Sequence, residues 1–393
     1  MQETDVVVIG AGAAGLMCAA QAGYRGRQVL VLDHAKKPGK KILMSGGGRC
    51  NFTNRTVSKE HFVCTNPHFT ISALKRFSQQ DFIDMVDRHG IDYHEREWGQ
   101  LFCNDSSKSI VKMLLTECEW AQASIRTGVS IKAVESLVDG GYKIITSGDV
   151  IHCQSLVIAS GGLSFANAGA TGIGYDIARQ FGLNILSTQA ALVPFTLQPK
   201  ELERFKPLSG IALESRVSCN GMSFRENLLF THRGFSGPVI LQISNYWKPG
   251  QSIEIDLFPN INLLEWLEQQ RLDRPKAELR NILAETLTKR LATALCELWQ
   301  CDRPIDQFNE PQLKEIANHF QHWQIKPSGT EGYRTAEVTR GGVDTDELSS
   351  KTMEAKKALG LYFVGEVMDV TGWLGGYNFQ WAWASGFCAG QFV

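Results

Sequence analysis

The sequence predicts an α/β protein: a parallel β-sheet flanked by helices, with a second domain inserted into the chain. Three observations support this prediction. The chain opens with a strand–glycine–helix–strand unit, a second apolar strand stops at a glycine pair near residue 160, and the segment 190–327 contains the patterns of short strands followed by helices. Strands that alternate with helices favour a parallel sheet, and the strand-then-helix segment favours an inserted domain.

The opening unit begins with the apolar run Asp5–Ile9, which predicts a buried strand, and continues through Gly10, Gly12 and Gly15. This glycine spacing is typical of a turn that binds a dinucleotide. Gly10 permits the tight turn, Gly12 lets the backbone approach a pyrophosphate, and Gly15 lets the following helix lie close to the strand.

The helix predicted over Ala13–Ala22 would direct its unpaired N–H groups toward those phosphates. A second apolar run, Val29–Leu32, then ends in Asp33, 18 residues after Gly15. A carboxylate at that position can accept hydrogen bonds from a ribose. Strand, glycines, helix, strand and acid in this order predict a bound adenine dinucleotide, with NAD and FAD both open. The alternative is an ordinary glycine-rich turn.

A second glycine-rich stretch, Gly46, Gly47 and Gly48, follows a basic segment. Three consecutive glycines expose backbone N–H groups and let a flat ligand lie against the main chain. Arg49 and Asn51 add side-chain donors directly after them. We therefore expect a loop that lines a ligand, rather than a flexible linker.

The apolar strand that begins at Leu156 stops at small residues and the pair Gly161 and Gly162, where backbone can meet a cofactor. A further glycine cluster, Gly169–Gly174, reverses the spacing of the opening turn, and no strand leads directly into it. The sequence therefore does not support a second resident dinucleotide.

The end of the chain repeats the pattern of a strand that stops at glycine. The strand predicted over Leu361–Val364 ends at Gly365 and Glu366, and Gly376 precedes a helix predicted over Gln380–Gly390. The N-terminus of that helix can stabilise negative charge, such as the charge that a reduced flavin carries at N1–C2=O.

The segment 190–327 is predicted to form the inserted domain, which leaves 1–189 and 328–393 as one discontinuous cofactor-binding domain. Within the insertion, a polar stretch with several glycines places His232 beside Arg233. We expect the inserted domain to cover the cofactor, with this imidazole and guanidinium as candidate catalytic groups.

The overall composition is that of a globular protein, with 43% hydrophobic and 21% charged residues and a net charge of −1. The charge gives the whole molecule no bias toward nucleic acid. Residues 1–60, however, hold nine Lys and Arg against four Asp and Glu. The simplest interpretation is that this excess serves the phosphates of the dinucleotide; the alternative is an anionic polymer.

The ten cysteines contain no Cys-x-x-Cys pair, which argues against a structural zinc, an iron–sulfur cluster or a redox dithiol. No apolar run reaches the length of a membrane span, and no export signal precedes the first strand. We therefore expect a cytoplasmic protein with free thiols, no bound metal and no membrane partner.

Four stretches narrow the prediction further: residues 41–54, 230–238, 329–343 and 365–386. Together they resemble the HI0933-like (YhiN-type, BaiN-like) family of NAD(P)/FAD-dependent oxidoreductases, within the two-dinucleotide-binding-domain flavoproteins. The resemblance runs over essentially the whole chain. It implies a Rossmann-type domain formed by both chain ends that binds FAD non-covalently, with an inserted β-barrel-like plus helical domain.

The resemblance also implies specific cofactor contacts, at Gly10, Gly12, Ala14, Gly15, Asp33, Lys40, Gly48, Gly162, Glu366 and Asn378. The predicted cofactor site further includes Gly46, Gly47, Arg49, Asn51, Val129, Gly161, Gly365, Gly376 and Phe379. Asp33 stands where wider FAD families carry glutamate, and we expect the shorter side chain to hold the ribose as well.

The leading functional hypothesis is a reductase that accepts hydride from transiently bound NAD(P)H and delivers it from flavin N5 to an activated C=C bond. Such a reaction needs a proton donor on the face opposite the hydride. The candidates are Cys50, which directly follows Arg49 in the chain, and His232 together with Arg233.

Two alternatives remain open. Some relatives are associated with bile-acid intermediates and others with a uridine of large-subunit ribosomal RNA, so this chain could be a ribosomal RNA dihydrouridine synthase. It could also be a non-catalytic flavin-binding or redox-sensing module. Residue patterns decide neither the substrate, small molecule or ribosomal RNA, nor the oligomeric state.

Overall fold

The computed structural model describes residues 2–165 and 169–393. The chain forms two compact units, one made of Met1–Ala190 and Glu337–Val393 and the other of Ala191–Ala336. Within the described ranges, no helix is both long and apolar enough to cross a membrane.

The strands, in chain order, are β1 (Gln2–Ile9), β2 (Val29–Asp33), β3 (Asn51–Asn54), β4 (Phe62–Val63), β5 (Tyr93–Glu95), β6 (Gln100–Cys103), β7 (Ser124–Thr127), β8 (Ile131–Ser136), β9 (Tyr142–Thr146), β10 (Val150–Ile158), β11 (Ile185–Ala191), β12 (Phe195–Thr196), β13 (Ala212–Cys219), β14 (Met222–Phe230), β15 (Gly234–Ser236), β16 (Ile253–Asp256), β17 (Trp323–Ile325), β18 (Gly329–Thr330), β19 (Val338–Val343), β20 (Leu361–Phe363) and β21 (Thr371–Gly372).

The α-helices are α1 (Ala13–Tyr24), α2 (Lys40–Met44), α3 (Phe69–Arg76), α4 (Gln79–Arg88), α5 (Lys108–Trp120), α6 (Ile173–Gln180), α7 (Pro199–Phe205), α8 (Pro238–Ser244), α9 (Leu263–Asp273), α10 (Leu279–Leu283), α11 (Lys289–Leu298), α12 (Glu310–Gln321) and α13 (Tyr377–Gly390).

The main sheet of the first unit has the order β7-β2-β1-β10, and β20 pairs with the C-terminal end of β10. These five strands are parallel, whereas β9 pairs antiparallel with the start of β10 and carries β8 on its other side. The parallel strands are apolar because both faces of the sheet are covered; Val6, Val7 and Val8 are fully buried.

Helices α1 and α13 pack closely, and this contact joins the two ends of the chain. A Cβ atom on Gly386 would lie 2.3 Å from the carbonyl oxygen of Ala14, and one on Gly390 would lie 2.8 Å from that of Cys18. The glycines therefore permit a helix separation that larger side chains would prevent. The predicted α/β domain built from both chain ends is confirmed.

Three small sheets complete the first unit: β3-β6-β5, β21-β4 and β11-β19. In the β11-β19 sheet, β11 leads out of the first unit and β19 is the first strand after the chain returns to it. The insertion therefore leaves and re-enters the first unit at neighbouring strands.

The second unit contains a seven-stranded sheet of order β17-β16-β13-β14-β15-β12-β18, whose pairs are all antiparallel. The order is open, with β17 and β18 as its edges. The inserted domain of strands and helices predicted from the sequence is present. Its second boundary, expected after residue 327, lies after Ala336, because β18 pairs with β12 and so belongs to the inserted sheet.

Candidate functional site

The glycine turn between β1 and α1 is crowded at two of its three glycines and open at the third. Gly10 has a φ of 116°, and a Cβ atom there would lie 2.3 Å from the Ala159 carbonyl oxygen. A Cβ atom on Gly15 would lie 1.9 Å from the Gly10 carbonyl oxygen, whereas one on Gly12 would meet nothing within 4 Å. Gly10 and Gly15 thus serve packing, and Gly12 borders open space where a phosphate can approach the backbone.

The N-terminus of α1 is available to an anion. Gly12 is the N-cap residue, no side chain caps the helix, and its first turn holds no acidic residue. The first N–H groups of a helix have no intrahelical acceptor, so a phosphate at this position would satisfy them. Ala14 lies in this first turn, and a Cβ atom on Gly365 would lie 3.0 Å from its Cβ.

Asp33, at the end of β2, is held in place by the backbone. Its Oδ2 accepts a hydrogen bond from the Ala11 N–H (2.7 Å) and its Oδ1 accepts one from the Ala35 N–H (2.7 Å). The Val129 N–H donates to the Asp33 carbonyl oxygen (2.9 Å). Both predicted residues therefore meet at one edge of the sheet, and lone pairs of the carboxylate remain for ribose hydroxyls.

A polar cluster surrounds Glu366. Its carboxylate accepts hydrogen bonds from the Ser164 hydroxyl (2.7 Å) and the Thr339 N–H (2.8 Å), and it forms an ion pair with Lys41. A Cβ atom on Gly162 would lie 2.5 Å from the Thr339 hydroxyl and 2.8 Å from the Glu366 carboxylate. Gly162 therefore lies directly against this cluster, whereas a Cβ atom on the neighbouring Gly161 would meet nothing within 4 Å.

Three residues of this cluster were not predicted as site residues: Lys41, Ser164 and Thr339. The ion pair with Glu366 comes from Lys41, whereas the predicted Lys40 has an exposed side chain. A signal was present, because Lys41 opens one of the family-like stretches and Thr339 lies in another. The positions of these stretches along the chain did not indicate that they lie close together in the folded protein.

Glu337, next to this cluster in the chain, was also missed. Burial raises the pKa of its carboxyl group, and the positive charge of Lys41 only partly offsets this effect. Burial therefore favours the protonated form of this carboxyl group relative to the same group in water.

The glycine loop after α2 presents open backbone. Gly46, Gly47 and Gly48 have φ values of 56°, 64° and 86°, a conformation that side chains rarely adopt. A Cβ atom on Gly47 or Gly48 would meet nothing within 4 Å. The adjacent Arg49 has an exposed side chain. These features fit the predicted loop that lines a flat ligand.

Asn51 connects this loop to the N-terminus of α13. With its amide in the orientation that satisfies both ends, Asn51 accepts a hydrogen bond from the Gly376 N–H (3.1 Å) and donates to the Leu101 carbonyl oxygen (3.2 Å). Gly376 is the N-cap residue of α13, no side chain caps this helix, and its first turn holds no acid. The arrangement favours negative charge at the helix N-terminus.

Asn378 and Phe379 shape the same helix start. The Asn378 amide donates to the Gly372 carbonyl oxygen (2.9 Å) and accepts from the Gly372 N–H (2.8 Å). The Phe379 ring stacks on Trp383, with 5.6 Å between ring centroids. Together with the open glycines, these residues fit the predicted FAD: an uncapped helix for its phosphates, a carboxylate for its ribose, and a second uncapped helix for its flavin.

Cys50, one predicted proton donor, lies in the core. Its side chain is fully buried, and burial raises the pKa of its thiol to about 12. The Cys50 N–H donates to the Ser45 carbonyl oxygen (3.2 Å), so the residue closes the glycine loop. This environment stabilises the thiol form and keeps solvent away from it.

His232 and Arg233 lie in the second unit, in the turn that joins β14 to β15. The Thr231 hydroxyl accepts hydrogen bonds from the N–H groups of Arg233 (3.2 Å) and Gly234 (3.1 Å), which closes the turn. His232 is exposed, and Arg233 forms an ion pair with Glu331 (3.6 Å). The turn thus presents an accessible imidazole beside a paired guanidinium.

Comparison with known proteins gives matches over nearly the whole chain. The profile described as HI0933-like protein Rossmann domain matches residues 4–392. The chain is 53% identical over 393 residues to the ribosomal RNA dihydrouridine synthase of Escherichia coli (strain K12), covering 100% of this chain and 98% of that protein. It is 28% identical over 404 residues to the 3-dehydro-bile acid delta(4,6)-reductase of Clostridium scindens, covering 98% and 97%.

Among solved structures, the 3-ketosteroid-delta4-(5alpha)-dehydrogenase from Rhodococcus jostii RHA1 shares the fold. The two structures have a TM-score of 0.51 at 14% sequence identity, covering 99% of this chain and 97% of that chain. The family profile extends from β1 to α13 and so includes every element that carries a predicted cofactor residue.

Proposed function

The chain belongs to the HI0933-like family and is an FAD-dependent oxidoreductase, and we propose that it reduces a uridine of ribosomal RNA to dihydrouridine. The observation that carries this proposal is the 53% identity, over the entire chain, to a ribosomal RNA dihydrouridine synthase. The bile-acid reductase, at 28% identity, supports a small-molecule substrate less strongly. A ribosomal RNA substrate also leads us to propose a cytoplasmic location.

In this proposal the chain's own residues bind and orient the cofactor. The N-terminus of α1 and Gly12 would hold the phosphates, Asp33 would hold the adenosine ribose, and the Glu366 cluster would contact the sugar-alcohol chain. The N-terminus of α13 stabilises negative charge on the flavin ring. When bound, FAD supplies a hydride, which we propose it receives from NAD(P)H.

Reduction of the uridine C5=C6 bond adds one hydride and one proton. We propose that His232 donates the proton, because its imidazole is exposed and histidine is the commonest general acid in enzymes. Cys50, the other predicted donor, is fully buried and its thiol pKa is raised to about 12. A thiol with such a high pKa is a poor proton donor near neutral pH.

The proposed activity is tested with the FAD-loaded enzyme under anaerobic conditions. Ribosomal RNA from a strain that lacks the gene is incubated with the enzyme and NADH or NADPH, and dihydrouridine is measured by mass spectrometry of the nucleosides. We expect dihydrouridine in large-subunit RNA only when enzyme and nicotinamide are both present. Flavin that is reoxidised by an α,β-unsaturated ketone but never by RNA would instead favour a small-molecule reductase.

The role of His232 is tested by His232→Ala, with His322→Ala as the control because His322 is another exposed histidine of the same unit. We expect His232→Ala to bind FAD and accept hydride normally while uridine reduction falls by about 10²-fold or more. The control variant should keep the wild-type rate. Wild-type turnover in His232→Ala would remove His232 from the mechanism.

A further inference from the structure

We propose that Trp98 is a stacking platform for a nucleobase, so that the RNA substrate is held beside the flavin end of the site. The inference rests on the proposed function and identifies a contact for its substrate. Of the nine tryptophans, all within the described ranges, only Trp98 and Trp120 are exposed, at 64% and 59% of their surface. Tryptophan is enriched at binding interfaces, where its ring offers a large apolar face and its N–H a polar edge.

The two exposed tryptophans differ in their surroundings. The Trp120 ring already stacks on His89, with 5.1 Å between centroids. In the part of the chain that the structure describes, no aromatic ring contacts the Trp98 indole, and its N–H donates no hydrogen bond. Most of the Trp98 surface and the polar edge of its ring are therefore available to a ligand.

The backbone holds Trp98 in a strained conformation. Its φ and ψ of 61° and 26° lie in the left-handed region, which a bulky side chain rarely adopts, and Gly99 follows with a φ of 72°. The Gly99 carbonyl oxygen accepts a hydrogen bond from the Arg55 N–H (2.8 Å). Strain of this kind persists only where surrounding contacts enforce it, and it is concentrated at functional sites.

One buried amide links Trp98 to the flavin end of the site. Asn54 is 1% exposed, and its Nδ2 donates to the carbonyl oxygens of both Trp98 (2.9 Å) and Gly375 (3.0 Å). Gly375 directly precedes Gly376, the N-cap residue of α13. The Trp98 backbone is therefore adjacent to the helix start that we assign to the flavin ring, and Asn54 fixes this proximity.

The chemistry of the substrate explains why an aromatic ring is needed here. A uridine can be reduced only after it leaves the base stack of the RNA, and the neighbouring base then loses a stacking partner. An exposed indole can replace that partner regardless of base identity, because every base has a π-face. We therefore assign Trp98 to a nucleotide adjacent to the target uridine.

The test measures RNA binding by the FAD-loaded enzyme. The probe is a fluorescein-labelled single-stranded oligouridylate of about 12 nucleotides, followed by anisotropy. Trp98→Ala should weaken binding about tenfold, and Trp98→Phe should stay within about threefold of wild type because it keeps an aromatic face. Trp98→Gly should bind as weakly as Trp98→Ala but fold at least as well, because glycine accepts the left-handed backbone. Trp120→Ala is the matched control and should bind like wild type.

The salt dependence of RNA binding distinguishes base stacking from electrostatic contacts with the phosphates. The ratio of the Trp98→Ala and wild-type Kd values should remain constant between about 50 mM and about 200 mM salt, because stacking releases no counterions. Wild-type affinity in both Trp98→Ala and Trp98→Gly would overturn the inference, as would an equal loss in Trp98→Phe. Loss of FAD from Trp98→Gly would also overturn it, by showing that Trp98 supports the fold rather than the ligand.

The outcome also distinguishes this inference from the proposed function. If the wild-type enzyme forms dihydrouridine in ribosomal RNA and Trp98→Ala does so with an unchanged KM, only the Trp98 contact is refuted. If the wild-type enzyme reduces no uridine, the proposed function itself is refuted, whatever the effect of Trp98→Ala on RNA binding. A raised KM with an unchanged kcat in Trp98→Ala is the result we expect.

Discussion

Individual glycines of the cofactor turn have separate physical tasks. Gly10 and Gly15 each lie where a Cβ atom would approach a carbonyl oxygen to 2.3 Å or less, so they are required for the backbone to pack. Gly12 has no such neighbour within 4 Å, and its backbone is extended, with φ −90° and ψ −166°. Packing within the chain therefore gives no reason for glycine at position 12, and we propose that the ligand does.

Gly12→Ala separates ligand binding from folding. We expect the variant to fold with wild-type stability but to bind FAD about tenfold more weakly or worse, because a methyl group would intrude on the phosphate. FAD content after dialysis and the Kd for FAD measure the effect. Gly148→Ala is the control, since Gly148 is exposed and a Cβ atom there also meets nothing within 4 Å. An unchanged FAD affinity in Gly12→Ala would contradict the assignment.

Cys50 illustrates how burial changes a reactive residue. Its thiol pKa is raised to about 12, so the folded protein holds the thiol proton more tightly than the unfolded chain does. The thiol form is fully present at neutral pH, and this stabilising effect on the folded state is lost as the pH rises above the usual thiol range and approaches 12.

We expect iodoacetamide to leave Cys50 unmodified in the folded protein between about pH 7 and about pH 9, and to modify it once urea unfolds the chain. Peptide mapping by mass spectrometry gives the extent of reaction at each cysteine. Cys50→Ala should also retain uridine reduction. Rapid alkylation at neutral pH, or loss of turnover in Cys50→Ala with FAD still bound, would restore Cys50 as a proton-donor candidate.

At the scale of elements, helix α13 is held by buried polar contacts as well as by packing. Gln380 is fully buried; it accepts a hydrogen bond from the Thr53 hydroxyl (2.7 Å) and donates to the Phe77 carbonyl oxygen (3.0 Å). The Trp383 indole N–H donates to the Phe52 carbonyl oxygen (2.8 Å). These bonds fix the direction of α13 relative to β3, and so the position of its N-terminus.

Gln380→Leu keeps most of the side-chain volume but leaves the Thr53 hydroxyl and the Phe77 carbonyl without partners. We expect the free energy of unfolding to fall by about 2–4 kcal/mol, since each buried polar group without a partner costs about 1–3 kcal/mol. Urea titration followed by circular dichroism provides the value. Gln391→Leu, just beyond the same helix, changes a half-buried glutamine and should cost less than about 1 kcal/mol.

At the scale of the whole molecule, the proposed cofactor site joins the two ends of the chain. The glycine turn of residues 10–15 and helix α13 belong to one compact unit although the inserted unit separates them in sequence. A ligand that contacts both ends binds the folded chain and not the unfolded one. FAD should therefore stabilise this unit by mass action.

Apoprotein titrated with FAD tests this coupling. At a free FAD concentration about 100 times the Kd, the free energy of unfolding should rise by about 2.7 kcal/mol, and the midpoint of thermal unfolding should rise with FAD concentration. The Gly12→Ala variant should show a smaller shift at the same concentrations. A midpoint that does not depend on FAD would indicate that the ligand does not bind to the folded unit as proposed.

Much of the fold followed from local patterns. The strand, glycine turn and helix of residues 5–24 were predictable because glycine spacing and apolar runs act within a few residues. The inserted strand-then-helix unit was predictable for the same reason. Its second boundary was not, because the short strand β18 is assigned by its pairing with β12 and carries little signal of its own.

The sequence alone determined the dinucleotide turn and the family, since both depend on residue types at fixed spacings along the chain. Only the tertiary structure decided that Lys41 meets Glu366, 325 positions away, and that Asn54 brings Trp98 to Gly375. The physical reason is that spacing controls local backbone conformation, whereas ion pairs and hydrogen bonds between distant segments depend on how sheets and helices pack.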